Sequence, residues 1–146
     1  MYEGLRLDSQ LCFRLYSLSR LLTQRYHSLL EPLGLTYPQY LVMMVLWERD
    51  NVSVSYIAQR LMLDTNTLTP ILQRMERKGL VVRTIGKADG RQRIVSLTKI
   101  GNGLEKQASD VPRCMAEQLL SAGLDQTEAI GLVQSLDKLI GVLREE

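Results

Sequence analysis

The stretch from Asp64 to Gly79 constrains the fold of this 146-residue chain more than any other. It opens with residues that can each cap a helix, namely Asp64, Thr65, Asn66 and Thr67. Apolar side chains then recur at helical spacing, at Leu68, Ile71, Leu72 and Met75. Pro70 predicts that the helix begins late, because proline is best tolerated in a first turn. Gly79 stands where a glycine commonly ends a helix, so the stretch predicts one short amphipathic helix with a sharp stop.

The residues around this stretch predict a second short helix and a β-hairpin. Ser53 or Ser55 can cap a helix just upstream, which carries Ile57, Ala58 and Leu61. Downstream, residues 80–85 and 92–98 are predicted as two strands. Between them, residues 86–91 form a turn-prone and basic tip. Helix, turn, helix and basic hairpin in this order predict a winged helix-turn-helix.

Further helices are predicted on both sides of that lobe. Residues 9–30 carry leucines at helical spacing, and a second apolar helix follows over about 38–48. A helix over 98–121 is expected to kink near Pro112, and another covers 125–143.

The last helix has more apolar positions than one small lobe can bury, at Ile130, Val133, Leu136, Leu139, Ile140 and Leu143. Together with the first helix, these positions predict a dimerisation bundle with two-fold symmetry. The predicted fold is therefore mainly α-helical with a small β-hairpin wing. We expect a winged helix-turn-helix lobe at 37–98 and a helical dimerisation region at 1–36 and 99–146, which form one intertwined domain.

Positive charge is concentrated in the middle of the sequence. Residues 60–93 hold eight lysines and arginines against three acidic residues, although the net charge of the whole chain is only +2. Residues 101–146 hold four positive and eight negative charges. A basic middle on a neutral and acidic scaffold indicates a module that binds a polyanion, whereas charge alone would equally fit an ordinary solvated surface.

The predicted helix after Asp64 presents a polar face that suits DNA. Opposite its apolar stripe lie Thr69, Pro70, Gln73, Arg74 and Arg77. Glutamine and arginine can make bidentate contacts to adenine and guanine in the major groove, into which an α-helix fits. Together with the hairpin and the charge, this face predicts binding to double-stranded DNA, where a symmetric dimer would read a pseudo-palindrome.

The cations of the predicted wing have distinct expected roles. Arg91 at the hairpin tip is suited to the narrow minor groove of A·T-rich DNA. Arg83 and Lys87 are expected to meet phosphates, which fix the register of the protein without reading sequence.

The sequence lacks the patterns of most enzyme and metal sites. Cys12 and Cys114 are too few for a disulfide framework, and the single His27 cannot complete a Cys/His zinc site. No Gly-rich phosphate loop, HExxH or GxSxG motif is present, so we expect no enzyme activity, metal or cofactor. No apolar run approaches the ~20 residues of a membrane span, and no signal-peptide pattern is seen. We therefore expect a cytoplasmic protein without a membrane partner.

Cys12 lies on the first predicted helix, with Tyr16, Ser19 and Tyr26 at later positions of the same face. Free cysteine is often a small core residue, and that interpretation stays open. Tyr26 is about 21 Å further along a straight helix, so its hydroxyl can steady a Cys12 thiolate only from a partner subunit. Tyr37 could come from the same source. A thiolate at such an interface could react with peroxide, and oxidation to sulfenic acid would disturb its hydrogen bonds.

Four segments of the sequence resemble the MarR family, and more closely its organic-hydroperoxide-sensing repressors. They are QLCFRLY at 10–16, LTYPQY at 35–40, LDTNTLTP at 63–70 and VSLT at 95–98. The segments occur in the family's order and are spread over most of the chain. The first two are typical of the thiol-based subgroup rather than of MarR proteins at large.

The resemblance implies a dimeric repressor that holds its operator when reduced and releases it when an organic hydroperoxide oxidises Cys12. It implies that this thiol is hydrogen-bonded by tyrosines that correspond to Tyr26 and Tyr37 of the other subunit. The family's DNA contacts correspond to Thr65, Asn66, Thr67, Thr69, Gln73, Arg74 and, in the wing, Arg91.

The chain departs from the family pattern at two places, and both affect which operator sequence the protein would bind. The family usually has Ser-Gly where this chain has Thr65-Asn66, and Asp-Glu-Arg where it has Asp89-Gly90-Arg91. In one branch of the subgroup, a cysteine in the region of Cys114 traps the oxidised thiol as an intersubunit disulfide. The resemblance leaves two possibilities for Cys114: a resolving thiol, or a passive one while small-molecule thiols complete the switch.

Two other functions are compatible with the same residues. One is a MarR-type repressor that a small aromatic ligand releases, with Cys12 structural. Replacing Cys12 by Ser discriminates between them, because only the peroxide sensor would become blind to hydroperoxide. The other is a thiol peroxidase, which would consume peroxide over many turnovers instead of stoichiometrically.

Overall fold

A computed structural model describes residues 1–144, which are mainly helical with a small antiparallel sheet. The elements follow one another as α1 (Leu11–Leu30), α2 (Tyr37–Glu48), β1 (Val52–Ser53), α3 (Val54–Leu61), α4 (Thr65–Arg77), β2 (Val81–Ile85), β3 (Arg93–Leu97), α5 (Lys99–Ala108), α6 (Val111–Ser121) and α7 (Gln126–Leu143). They form two compact units, Met1–Ser109 and the residues from Asp110 onwards. Within residues 1–144, no helix combines the length and the apolar character that crossing a bilayer requires. The predicted fold class is confirmed, while the division into a DNA lobe and a dimerisation region stays a prediction.

The sheet has three antiparallel strands in the order β1-β3-β2. β2 and β3 form the predicted hairpin, and Ile85 pairs with Arg93 next to the connecting loop. β1 adds two residues at the other edge of β3, where Val52 pairs with Val95. β1 was not predicted, because two residues are too few to show an alternating pattern.

α4 begins at Thr65, earlier than Pro70 predicted. Asp64 caps the helix, and its carboxylate accepts the backbone N–H of Thr67 at 2.7 Å. Pro70 therefore lies inside the helix and not in its first turn. Because proline has no N–H, one backbone hydrogen bond is absent at that point. The predicted late start was wrong, since a cap at the first available position and a buried stripe of Leu68, Leu72 and Met75 stabilise the longer helix.

The end of α4 follows the prediction for Gly79. This glycine has a left-handed φ of +74° and directly follows Lys78, the C-cap residue of α4. Its N–H donates to the Glu76 carbonyl at 2.9 Å, and the N–H of Leu80 donates to the Met75 carbonyl at 3.0 Å. These two bonds are those of a Schellman motif, which turns the chain directly from α4 into β2.

One apolar core joins the helices and the sheet of the first unit. Its fully buried side chains include Met43, Leu46, Ile57, Leu68, Leu72, Met75, Val81 and Val95. α5 is tied to this core by Trp47, whose indole N–H donates to the Gly101 carbonyl at 3.1 Å. A side chain at Gly101 would not fit, because a Cβ there would lie 2.2 Å from the carbonyl oxygen of Leu80.

The predicted helix over 98–121 is two helices in the structure. α5 ends at Ala108, and α6 begins at Val111. Pro112 therefore lies in the first turn of α6, where its missing N–H costs no hydrogen bond. The prediction of one kinked helix was wrong, because the chain leaves the helix before the proline.

In the second unit, α7 exposes most of its apolar side chains. Asp125 caps this helix and accepts the backbone N–H of Glu128 at 2.8 Å. Leu136 is half-buried, whereas the other predicted apolar positions are exposed, at Ile130, Val133, Leu139, Ile140 and Leu143. α7 thus carries an apolar face that its own unit does not cover.

Candidate functional site

α4 presents the polar face that the sequence predicted. Gln73, Arg74 and Arg77 are exposed along its second half. The residues of its first turn are also exposed, at Thr65, Asn66 and Thr67. Thr69 is half-buried, and its hydroxyl donates to the Thr65 carbonyl at 2.7 Å. α4 is the second helix of the predicted helix-turn-helix, and its polar side chains point away from the core. We therefore call it the recognition helix.

The recognition helix begins with an ionised cap. The backbone N–H of Thr67 donates to the Asp64 carboxylate, and this hydrogen bond lowers the pKa of Asp64 below its ordinary value. The negative charge is therefore retained at neutral pH and satisfies a backbone N–H at the positive end of the helix. The cap fixes where the exposed face starts.

The hairpin loop projects Arg91 into solvent. Asp89 shapes the loop, since its side chain accepts the Arg91 backbone N–H at 3.0 Å and its carbonyl accepts the Gln92 N–H at 3.1 Å. The Gly86 N–H closes the loop by donating to the Gln92 carbonyl at 2.9 Å. The Arg91 side chain is 97% exposed, and Lys87 in the same loop is exposed as well. The Arg91 Nε lies 3.8 Å from the Asp89 carboxylate, and this exposed pair leaves most of the guanidinium open to another molecule.

A cleft of about 370 Å³ separates the start of the recognition helix from the hairpin. It is lined by hydroxyl groups and arginines, principally Ser53, Thr65, Thr69, Arg83, Arg91 and Arg93. Among the described residues, its lining includes no acidic side chain. Such a surface is complementary to the negative charge and the hydrogen-bond acceptors of a phosphate backbone.

Arg83 differs from Lys87, the other predicted phosphate contact, because its guanidinium is paired within the chain. Its side chain is half-buried, and its Nε donates to the carboxylate of Glu76 on the recognition helix. Arg83 also lines the cleft. The residue therefore ties β2 to α4, and any contact with phosphate would involve a guanidinium that is already held in place.

Cys12 is an exposed free thiol in the first turn of α1. Tyr16, one turn further along, is also exposed, and the Arg20 guanidinium lies 5.8 Å from the centre of its ring. The structure thus brings Cys12 and Tyr16 onto one exposed surface of α1.

Tyr26 and Tyr37 lie together, away from Cys12. Their ring centres are 4.6 Å apart, and Tyr40 packs 6.0 Å from Tyr26 and 6.3 Å from Tyr37. Burial raises the pKa of all three tyrosines, so their hydroxyls stay protonated at neutral pH. Tyr26 is 14 residues beyond Cys12 on the same helix, or about 21 Å, so the two groups of one chain do not meet.

The structure adds residues that the sequence did not point to. Gln39 and Thr36 form a capping box at the start of α2, and Lys78 donates to Oε1 of Gln39 at 2.8 Å. The three-residue spacing of Thr36 and Gln39 was a usable signal for the capping box. Nothing local could have indicated Lys78, which is 39 residues from its partner. Arg93 was missed in the cleft, although it stands two positions from Arg91 on the same hairpin.

Cys114 is a half-exposed free thiol on α6. It belongs to the unit that begins at Asp110, whereas Cys12 belongs to the other unit. No group of three or more potential metal ligands occurs in the described part of the chain.

Comparison with known proteins agrees with this arrangement. The MarR family model matches residues 35–92. The organic hydroperoxide resistance transcriptional regulator of Bacillus subtilis is 43% identical over 111 residues, which cover 76% of this chain and 76% of that protein. The chain belongs to the MarR family. The resemblance drawn from the four sequence segments is therefore confirmed.

A MarR-type fold of this kind is also found in solved structures of AbfR from Staphylococcus epidermidis. Reduced AbfR bound to DNA has a TM-score of 0.77 and 35% identity, and the match covers 99% of this chain and 100% of that one. Overoxidised AbfR bound to DNA gives the same values. AbfR in a disulfide form has a TM-score of 0.65 and 38% identity, over 94% of this chain and 95% of that one. The predicted winged helix-turn-helix is confirmed.

Proposed function

We propose that this MarR-family protein is a redox-responsive transcriptional repressor. It binds a pseudo-palindromic operator as a reduced homodimer and leaves the operator when an organic hydroperoxide oxidises Cys12. The observation that carries this proposal is an exposed thiol at the start of α1 in the same chain as a basic recognition helix and wing. The Bacillus subtilis relative, named as an organic hydroperoxide resistance regulator, supports the effector.

The DNA contacts are proposed from the exposed face of the recognition helix. Gln73, Arg74 and Arg77 project from it and can reach base edges or phosphates in the major groove. At its first turns, Thr65, Asn66, Thr67 and Thr69 complete the proposed contact surface. Arg91 enters the minor groove, since its side chain is almost fully exposed. Arg83 and Lys87 meet phosphates, with Arg83 held by Glu76 beside the arginine-lined cleft.

Dimerisation is proposed through the terminal helices. α1 exposes Leu11, Phe13, Leu18 and Leu21, and α7 exposes its apolar stripe. Two separate apolar faces of this kind are more than an isolated small protein normally leaves in water. A homodimer would cover them and would place two recognition helices for two half-sites.

Within that dimer, we assign the hydrogen-bond donors of the Cys12 thiolate to three tyrosines. Tyr16 is on the same helix, one turn away. Tyr26 and Tyr37 would come from the other subunit, because Tyr26 lies about 21 Å along α1 from the Cys12 of its own chain and Tyr37 packs against Tyr26. Both side chains suit this role, since the protonated hydroxyl of a tyrosine can donate a hydrogen bond to a thiolate.

The proposed chemistry uses one hydroperoxide per thiol. The Cys12 thiolate attacks the terminal oxygen of the hydroperoxide, the O–O bond breaks, and the alkoxide takes a proton to leave as an alcohol. The sulfenic acid of Cys12 then condenses with a second thiol, forming a disulfide and releasing water. No step regenerates the reduced thiol, so we propose a stoichiometric sensor and not an enzyme.

Cys114 is the proposed second thiol. Its half-exposed position leaves it open to an approaching sulfenic acid. AbfR has been solved in a disulfide form, and it has also been solved on DNA in an overoxidised form. These two forms of AbfR favour a switch that needs a disulfide, because oxidation without one is compatible with a DNA complex in that relative.

The test is a DNA-binding titration against the chain's own upstream region, at one fixed salt concentration because phosphate contacts make affinity depend steeply on salt. The reduced protein is compared with protein treated with about one equivalent of cumene hydroperoxide per Cys12. We expect oxidation to weaken binding and dithiothreitol to restore it.

Cys12→Ser is the matched control, because it removes the reactive sulfur and little volume. It should bind like the reduced wild type and stay bound after peroxide. Release of the Cys12→Ser protein by peroxide would contradict a role for Cys12. A wild type that never leaves the DNA under peroxide would direct the search to a small aromatic ligand.

A further inference from the structure

Lys78 joins the end of the recognition helix to the connection between α1 and α2. Its ammonium group donates to the Gly34 carbonyl at 2.7 Å and to Oε1 of Gln39 at 2.8 Å. These acceptors are 44 and 39 residues away in the sequence. Because the donor is charged, such bonds are stronger than hydrogen bonds between neutral groups.

Gln39 is the buried member of this connection. Its side chain accepts the Thr36 backbone N–H at 3.2 Å as well as the Lys78 ammonium, and its own backbone N–H donates to the Thr36 hydroxyl at 3.3 Å. Only 3% of Gln39 is exposed. Oε1 of Gln39 accepts hydrogen bonds from two donors at this buried position. It cannot move far without leaving a buried polar group unpaired.

Tyr37 lies within the same short segment. It is the first residue of α2, between the two members of the capping box, and its ring contacts those of Tyr26 and Tyr40. A displacement of the Tyr37 ring therefore acts on the backbone that carries Thr36 and Gln39. Through the ammonium group of Lys78, that displacement reaches the last turn of the recognition helix.

We propose that Lys78 is a positioning residue that couples Tyr37 to the recognition helix. The proposal rests on the thiol switch proposed above, since it assigns the route from the tyrosines that hold the Cys12 thiolate to the helix that reads DNA. In the reduced dimer, Lys78 keeps α4 in its DNA-binding position. When oxidation displaces Tyr37, the same hydrogen bonds transmit the movement. α4 also packs in the common core, so losing Lys78 weakens the coupling without abolishing it.

The test compares Lys78→Met with Lys106→Met. Methionine keeps an unbranched apolar chain but cannot donate a hydrogen bond. Lys106 is an exposed lysine of α5 outside this connection, so its variant removes the same charge and corrects for weaker attraction to DNA. For each protein we would measure the operator Kd when reduced, the rate at which cumene hydroperoxide forms sulfenic acid on Cys12, and the operator Kd after oxidation.

We expect wild type and Lys106→Met to show the same ratio of oxidised to reduced Kd. Lys78→Met should lower that ratio by about 3- to 30-fold, while Cys12 is oxidised at the wild-type rate. Lys78→Arg should restore most of the ratio, because a guanidinium can donate to both acceptors.

The outcomes separate this inference from the proposed function. If wild type switches and Lys78→Met switches by the same factor, Lys78 does not couple the two sites. Slower oxidation of Cys12 in Lys78→Met would also overturn the inference, because the link would then act on the thiol. If wild type itself does not respond to peroxide, the proposed function fails.

Discussion

Cys12 and Arg91 are both exposed side chains whose roles depend on a second molecule. In the proposed switch, two of the three hydroxyl donors to Cys12 come from the partner subunit, and the proposed role of Arg91 requires a DNA groove. Lys78 is the opposite case, because two acceptors within the chain fix its charged end. At the scale of single residues, substitutions at the first two should alter reactions with partners and leave the fold intact.

Arg74→Ala and Arg91→Ala test the proposed DNA contacts. Arg74→Ala should cost about 1–3 kcal/mol of operator binding and relax base preference at one position, because a groove contact is lost. Arg91→Ala should weaken binding chiefly at sites whose flanks are rich in A·T pairs. Binding titrations on an operator library would measure both, with Lys106→Ala as a control for charge. Wild-type affinity and preference in both variants would count against the placement of helix and wing.

Cys114→Ser tests the resolving thiol. Oxidised wild type should run as a covalent dimer on a non-reducing gel, because the proposed disulfide joins two subunits. Cys114→Ser should run as a monomer and, with cumene hydroperoxide alone, should stay bound to DNA. A monomer band for oxidised wild type that has nonetheless left its operator would assign the second sulfur to a small-molecule thiol.

At the scale of elements, the junction between the recognition helix and β2 depends on Gly79. Its left-handed φ of +74° is unfavourable for any residue with a side chain. A Cβ at this position would meet only Ile100, at an ordinary 3.8 Å, so the cost would come from the backbone and not from crowding. The Schellman motif therefore requires glycine for its conformation.

Gly79→Ala should lower the free energy of unfolding by about 1–2 kcal/mol, which is the cost of a left-handed conformation. Gly103→Ala provides a matched comparison, because this glycine lies inside α5 with open space around it. That change should stabilise the protein by roughly 0.5–1 kcal/mol. Chemical denaturation of both variants would measure the difference. Equal effects of the two substitutions would show that the glycine at the end of α4 is dispensable.

Local patterns predicted most of the elements. The recognition helix, its apolar stripe and the hairpin were all predicted, because caps, periodicity and turn residues act over a few positions. Pro70 led to a wrong prediction for the start of α4, because the stable cap and the buried stripe outweigh one missing hydrogen bond. The pairing of Lys78 with Gln39 could not be predicted, because residues 39 apart meet only after the core has formed.

At the scale of the whole molecule, the apolar face of α7 is the feature that most needs a partner. Ile130 and Val133 are more than half exposed in the single chain. The sequence predicted this excess of apolar positions, but it could not show which of them the chain itself would cover. We propose that a homodimer covers this apolar face of α7.

Val133→Asp should raise the dimer dissociation constant at least about tenfold, because it would place an unpaired carboxylate in an apolar interface. Operator affinity should fall with it, since two half-sites can no longer be held together. Ser135→Asp adds the same charge on a different side of α7 and should leave the dimer intact. Sedimentation at several concentrations would measure both. A Val133→Asp protein that dimerises like wild type would exclude this face from the interface.

Trp47 is the only tryptophan of the chain, and its indole N–H is bonded to the carbonyl of Gly101. The tryptophan emission of the unlabelled protein therefore originates at a single known place, the junction of α2 and α5. Any rearrangement that breaks this hydrogen bond should shift the wavelength of the emission maximum. Stopped-flow mixing with peroxide would then measure the rate at which the conformational change reaches the junction of α2 and α5, without an attached dye.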